Sequence, residues 1–250
     1  MRISRAEVCV VACAEVWRGD AEILASPIGV IPTLAARLAR ATFAPDLLLS
    51  DGEARLVAGT WAIGDPPAVV EGWLPMRAVF DIVWGGRRHV MMAPSQVDRY
   101  GNTNIAAIGD HARPTAALLG FRGAPGNTVN HPTSYWVPRH GPRSFVSTVD
   151  VVCGVGYDRA AAAGPAASRF HDLRRVVSNL GVFDFATPDH RMRLASVHPG
   201  VTVDEVVRAT GFELVVPVDV PQTRRPTAAE VELIRTVIDP GDARSSQVPA

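Results

Sequence analysis

Between Pro94 and Arg143 the chain reads PSQVDRYGNTN, then IAAIGDHARPTAALLGFRGAPGNTVN, then HPTSYWVPRHGPR. Asn102, Asn104, Asn127 and Asn130 stand there among Gly101, Gly120, Gly123 and Gly126, with Pro114, Pro125, Pro132, Pro138 and Pro142. Each of these residue types removes a backbone donor, frees φ, or competes with the backbone for its own hydrogen bonds. A long helix or a central strand is therefore ruled out over most of this stretch. It has to be carried as loops by a scaffold built elsewhere, and polar loops on a rigid scaffold are where chemistry usually sits.

The flanking sequence supplies that scaffold. Residues 4–18 place Val8, Val11, Ala12 and Val16 on one helical side, and 28–41 (IGVIPTLAARLARA) form a second helix with Pro32 tolerated in its first turn. Residues 21–25 form a short strand, and Leu47–Leu49 a buried strand running into the turn Ser50-Asp51-Gly52-Glu53. Leu74–Trp84 reads as a helix stopped by Gly85-Gly86, followed by the buried strand His89–Ala93. Short strands are expected at 105–108 and 134–137, and a buried strand at 149–153. An antiparallel patch follows at 175–177, 182–185 and 191–197. Thr202 with Glu205 and Thr227 with Glu230 are capping boxes that open two last helices. Strands alternating with helices predict an α/β fold with an open, mostly parallel sheet flanked by helices. No composition break marks a linker, so residues 1–240 are expected as one domain, with 241–250 as a flexible tail.

Acidic and basic residues balance at 25 each, which argues against a nucleic-acid footprint. Every basic residue is arginine, so neither a Schiff-base lysine nor a P-loop lysine is available. Cys9, Cys13 and Cys153 are odd in number and lack metal-ligand spacing, which predicts buried free thiols, no metal, and a cytoplasmic setting. No apolar run is long enough to span a membrane.

Familiar motifs match poorly. Gly154-Val155-Gly156 follows an expected strand, but Arg159 stands where a third dinucleotide-binding glycine belongs. Ser134, His140 and Asp150 make a hydrolase triad only on paper, without a nucleophile elbow. His131 and His140 are better placed for function than His171, His190 and His198, which read as surface or turn residues. Arg139 and Arg143 suit an anion such as a carboxylate or phosphate through forked donation.

The segments QVDRYGNTN (96–104), NHPTSYWVPRHGPRSFV (130–146), VDVVCGVGY (149–157), NLGVFDF (179–185) and SVHPGV (196–201) resemble β subunits of family I CoA-transferases of the glutaconate CoA-transferase type, over roughly residues 5–240. The resemblance implies a NagB/RpiA-like fold, a homologous α subunit in an α2β2 assembly, and an acyl-CoA substrate, with no cofactor beyond the coenzyme A of that substrate. Transferring members carry a glutamate two residues before a glycine at the end of an early strand, and here Ser50 holds that place, before Asp51-Gly52. A serine cannot form the acyl-anhydride and glutamyl-CoA intermediates of transfer. The resemblance is strongest to the hydrolytic branch, which opens a cyclic 3-oxo acyl-CoA in steroid ring degradation with a glutamate of the α subunit. It implies a cleft wall of Ser50, Asp51 and Gly52. Gln96, Asn102, Asn104, Asn127 and Tyr135 would position substrate or stabilise an enolate, and Arg139 or Arg143 would hold an anion. A transferase using Asp51 or Glu53, or a non-catalytic partner that only stabilises the α subunit, are the alternatives.

Overall fold

The structure, a computed structural model, describes residues 2–51 and 55–248. Its contacts divide the chain into two compact units rather than the one domain expected over 1–240. The first runs up to Met92 and resumes from Arg224, and the second is the stretch between, Ala93–Thr223. Both crossings pass through sequence of ordinary composition, so neither carries a linker signature.

The first unit opens with α1 (Arg5–Ala14), whose amino end is closed by a capping box. Ser4 Oγ accepts from the Glu7 amide at 3.2 Å and a Glu7 carboxylate oxygen accepts from the Ser4 amide at 2.7 Å. The helix is apolar nearly all round, and Cys9 to Cys13 are buried accordingly. Next come β1 (Leu24–Pro27) and α2 (Val30–Thr42), with Pro32 in the first turn, where its missing amide costs no hydrogen bond. Residue 48 then pairs parallel with Leu24, and β2 (Leu49–Ser50) continues from it. The remaining elements are β3 (Arg55–Ala58), β4 (Val69–Trp73), α3 (Met76–Gly85) and β5 (Arg88–Met92). β5 lies parallel to β1 with Leu24 opposite Arg88 and Pro27 opposite Met91, a βαβ arrangement with α2 packed against β1 and α1. The antiparallel β2–β3–β4 ribbon is an addition to the expected plan.

In the second unit β6 (Gln96–Val97) pairs with β7 (Thr103–Asn104), and β8 (Ala107–Ile108) with β9 (Ala116–Ala117). After α4 (Ala124–Asn130), β10 (Pro132–Val137) is the buried central strand, and α5 (Tyr157–Ala162) and α6 (Pro165–Ser168) occupy the alanine-rich segment. β11 (Asp172–Ser178) runs parallel to β10, then β12 (Gly181–Asp184) and β13 (Arg193–Val197) return antiparallel. α7 (Val203–Ala209) begins at the Thr202 capping box as expected. The expected strand at 149–153 does not form, because its groups bond elsewhere: the Asp150 amide donates to Gln96 Oε1 at 3.0 Å and the Cys153 amide to the Thr103 carbonyl at 2.8 Å.

The chain re-enters the first unit with α8 (Ala228–Leu233), capped by Thr227 and prolonged by a π-helical segment, Ile234–Ile238. The expected frayed tail is corrected as far as residue 248. Arg244 is buried against Asp239, Nη1 to Oδ2 at 2.8 Å, and Val248 is buried as well. Glu7 ties the two ends of this unit together. Its carboxylate is fully buried and accepts from Arg235 Nε at 2.6 Å, with Arg244 Nη2 at 3.6 Å. Burial pulls the Glu7 carboxyl up, but the Arg235 hydrogen bonds and charge, with Ser4, outweigh it and hold the group below its ordinary value.

A carboxyl with a depressed folded pKa contributes stability above its unfolded pKa and loses it as pH falls through the folded one. Glu7→Gln is expected to lower stability at neutral pH by about 2–3 kcal/mol, since Arg235 and Arg244 lose their shared carboxylate. Urea titrations at pH 7 and pH 4 would check this: the gap between wild type and variant is expected to shrink on acidification.

Candidate active site

In the first unit a cavity of about 210 Å³ runs along β1, from Leu24 at its start to Ser26 and Pro27 at its end, and is lined also by Thr33 and Arg37 from α2, Ser50 and Asp51 from the end of β2, and Arg88, the first residue of β5. Leu74, Val79 and Ile82 close it from the α3 side. The register explains the grouping. Leu24 and Ser26 are two apart on β1 and share a face, and Arg88 sits opposite Leu24. Thr33 and Arg37, four apart on α2, also face the same way.

Two of the lining groups are buried guanidiniums. Arg37 is anchored by donating to the Trp61 carbonyl at 2.8 Å, with its guanidinium 4.1 Å from the Trp61 ring centre. Burial pushes both Arg37 and Arg88 down to about 10, so both keep their charge at neutral pH in a poorly solvated place. An anion entering the cavity would relieve that cost. Of the expected cleft wall, Ser50 and Asp51 are lining residues, whereas Gly52, like the alternative Glu53, lies outside the described residues. Sequence reading missed Arg37 and Arg88. Arg88 follows Arg87 at the start of a strand, and nothing in that pair tells which one turns inward.

The polar residues of 96–104 lie in the second unit and are occupied. The Asn102 amide donates to both Asp98 carboxylate oxygens, at 3.2 and 2.9 Å, and to Asp158 Oδ1 at 2.9 Å, while its Oδ1 accepts from the Gly156 amide at 2.7 Å. Asn104 donates to Gln96 Oε1 at 2.8 Å and to the Ala107 carbonyl at 2.6 Å, and accepts from the Ala106 amide. Gln96 reaches Asp150 at 3.0 Å, and Tyr135 donates to the Gly101 carbonyl at 3.2 Å. Gln96, Asn102, Asn104 and Tyr135 are all buried. Within this chain the polar atoms of these four, expected to position substrate, hold loops together. Asn127 is buried in the middle of α4, and its backbone carbonyl accepts from Thr133 Oγ1 and from the His131 amide. Burial pushes the Asp98 carboxyl up, and Asp158 adds to this, against the donors from Asn102 and Tyr100.

The glycines here are part of the same lattice. Gly101 has φ +84°, and a Cβ on Gly156 would stand 2.6 Å from both the Tyr100 carbonyl and the Asn102 amide. The Gly156 amide is thus spent on Asn102 rather than offered to a phosphate. The paper triad also separates. His140 stacks on Phe145 with ring centres 3.6 Å apart and bonds Ser178 Oγ at 2.9 Å and Thr210 Oγ1 at 3.0 Å, while Asp150 serves Gln96 and Gly109. His198, expected at the surface, is fully buried between Ser178 and Thr223. Arg139 and Arg143 are exposed around the His140 turn. Cys9, Cys13 and Cys153 are free and buried. Among the described residues no three His, Cys, Asp or Glu side chains gather as a metal site, and no helix is long and apolar enough to cross a membrane.

Known proteins give this geometry a context. The coenzyme A transferase family model matches residues 77–209. The chain is 54% identical, over 98% of its length and 96% of the other's, to the cholesterol ring-cleaving hydrolase IpdB subunit of Rhodococcus jostii. It superposes on a chain of the crystal structure of Rhodococcus jostii IpdAB with a TM-score of 0.96 at 53% identity, each covered in full. The decarboxylase AibA/AibB is similar at 26% identity and a TM-score of 0.81, again with each chain covered in full.

Asn102→Ala is expected to cost roughly 3 kcal/mol, because the Gly156 amide and the Asp98 and Asp158 carboxylates lose a buried partner together. A drop in urea midpoint with little change in cavity-dependent binding would confirm a structural role. Burial holds His140 down to about 3. A base whose folded pKa is depressed loses stability as pH falls below its unfolded value, near 6.5, toward the folded one. Stability is therefore expected to fall by up to about 1.4 kcal/mol per pH unit between pH 6.5 and 4. His140→Phe, which keeps the stack on Phe145, is expected to flatten that slope in urea titrations across the range.

Proposed function

The chain belongs to the coenzyme A transferase family, and from that premise we propose that it is the β-type subunit of a hydrolase that opens a cyclic 3-oxo acyl-CoA in steroid ring degradation. The single observation that carries this reading is Ser50. It lines the cavity at the strand end where transferring relatives place their glutamate. A hydroxyl there cannot take an acyl group as an anhydride and return it as a glutamyl thioester. Extensive identity with the ring-cleaving IpdB subunit of Rhodococcus jostii supports hydrolysis instead.

In this mechanism a carboxylate of a homologous α subunit, in an α2β2 assembly, takes a proton from water. The hydroxide adds to the ring ketone, and the bond between that carbon and the carbon α to the thioester breaks. The electron pair passes to the thioester enolate, which is then protonated. A new carboxylate is left on one fragment end and the CoA thioester on the other. No acceptor acid enters, and no cofactor is needed beyond the coenzyme A of the substrate.

This chain's part is to bind and to complement charge. Ser50 and Asp51 form the wall facing the reacting centre, while Arg37 and Arg88 supply positive charge for an anionic group of substrate or product. Asn127, Arg139 and Arg143 keep their proposed contacts with the acyl-CoA, the arginines with its phosphates or a carboxylate. The buried free thiols suit a cytoplasmic enzyme.

Asp51, on the same cavity, favours a second reading in which it does the glutamate's work in CoA transfer. Hydroxylamine or borohydride trapping after exposure to acyl-CoA separates the two. The hydrolase reading expects this chain to stay unmodified, turnover to proceed in water without acceptor acid, and Ser50→Ala to keep activity within about tenfold. A modified Asp51 and acceptor-dependent exchange would establish transfer. Arg88→Met is expected to raise KM at least tenfold with a smaller change in kcat.

A further inference from the structure

Helix α3 breaks the rule that a helix apolar on every side is buried. Its sequence, MRAVFDIVWG, carries only Arg77 and Asp81 as charged residues, yet none of its residues is buried. One side, with Val79 and Ile82, closes the cavity that holds Ser50 and Asp51. The other side is a stripe facing outward: Met76 is 71% exposed, Phe80 58% and Trp84 80%, four residues apart each time. Trp73, at the end of β4 and three residues before Met76, adds a ring that is 71% exposed.

Exposed apolar patches of this kind mark interfaces. From the usual areas of such side chains, these four present on the order of 600 Å², the larger part of the ~800 Å² that each partner contributes to a standard interface. Tryptophan and phenylalanine are also the residues that most often anchor such contacts.

We infer that this stripe, Trp73–Met76–Phe80–Trp84, is the docking face for the α subunit. The choice of occupant rests on the proposed hydrolase reading. Ser50 leaves the cavity without the family's glutamate, and α3 is one wall of that cavity. A partner seated on the outer side of α3 is carried to the rim of the cavity, where it can present the missing carboxylate. The same contact removes the stripe from water and fixes α3 over the substrate site, so assembly and completion of the active site become one event.

The test co-expresses this chain with an affinity-tagged α subunit and measures how much of the chain co-purifies, and the ring-opening activity recovered. Phe80→Asp/Trp84→Asp is expected to reduce co-purification at least tenfold and to abolish activity, with the circular dichroism spectrum unchanged. Phe80→Leu/Trp84→Phe, which keeps the surface apolar, is expected to retain both. Co-purification of the aspartate variant at the wild-type level overturns the docking face alone. Failure of the wild-type chain to co-purify overturns the two-subunit reading and this occupant with it. A self-association of the wild-type chain that the aspartate pair abolishes while α binding persists assigns the face to a second copy and overturns the inference.

Discussion

Two asparagine amides hold the second unit in its shape. Asn102 joins Asp98, Asp158 and Gly156, and Asn104 joins Gln96 with the turn at Ala106 and Ala107. Their loops have little regular structure to satisfy backbone groups, so side chains take over the work of a ladder. In a buried setting such a network is all or nothing, because each unpaired amide or carboxylate would cost about 1–3 kcal/mol. That is why glycine is required at 101 and 156: the segments approach too closely for a side chain.

The same constraint explains how far the sequence could be read. Alternating apolar runs placed α1, α2, α3, β5 and β11 to β13 within a few residues, because periodicity and punctuation are local signals. The capping boxes at Thr202 and Thr227 were legible for the same reason, although an equal one at Ser4 and Glu7 went unread. The β3–β4 ribbon gave no alternation to follow, being mostly half-buried or exposed. Residues 149–153 look like a buried strand, but their partners are a glutamine side chain and a carbonyl of β7 some fifty positions away. The chemistry of Gln96, Asn102 and Asn104 was visible, but the direction of each side chain was not. It is set by Asp150 and Asp158, which only the folded chain brings near.

Ser50 was legible as a departure from a family pattern, whereas its neighbours were not. The βαβ arrangement brings Arg37, ten residues into one connection, and Arg88, at the start of a distant strand, onto one cavity. The result is a positively charged pocket with hydroxyls and a single carboxylate, Asp51. Such a pocket can bind and orient an anionic thioester substrate. Its one carboxylate among the described lining residues, Asp51, stands one residue after the serine that takes the glutamate's place.

The first unit is discontinuous, and this has a consequence for biosynthesis. Glu7 is completed by Arg235 and Arg244, and Glu15 by Arg224, so the first helix waits for residues made more than two hundred positions later. The second unit is contiguous, and all of it is translated before Arg224 is added. Domains mature as units during translation. The first unit therefore closes only after the whole of the second has been translated, and until then Glu7 and Glu15 lack the arginines that complete them. A truncation that removes Arg235 and Arg244 would unseat the first helix rather than trim the last.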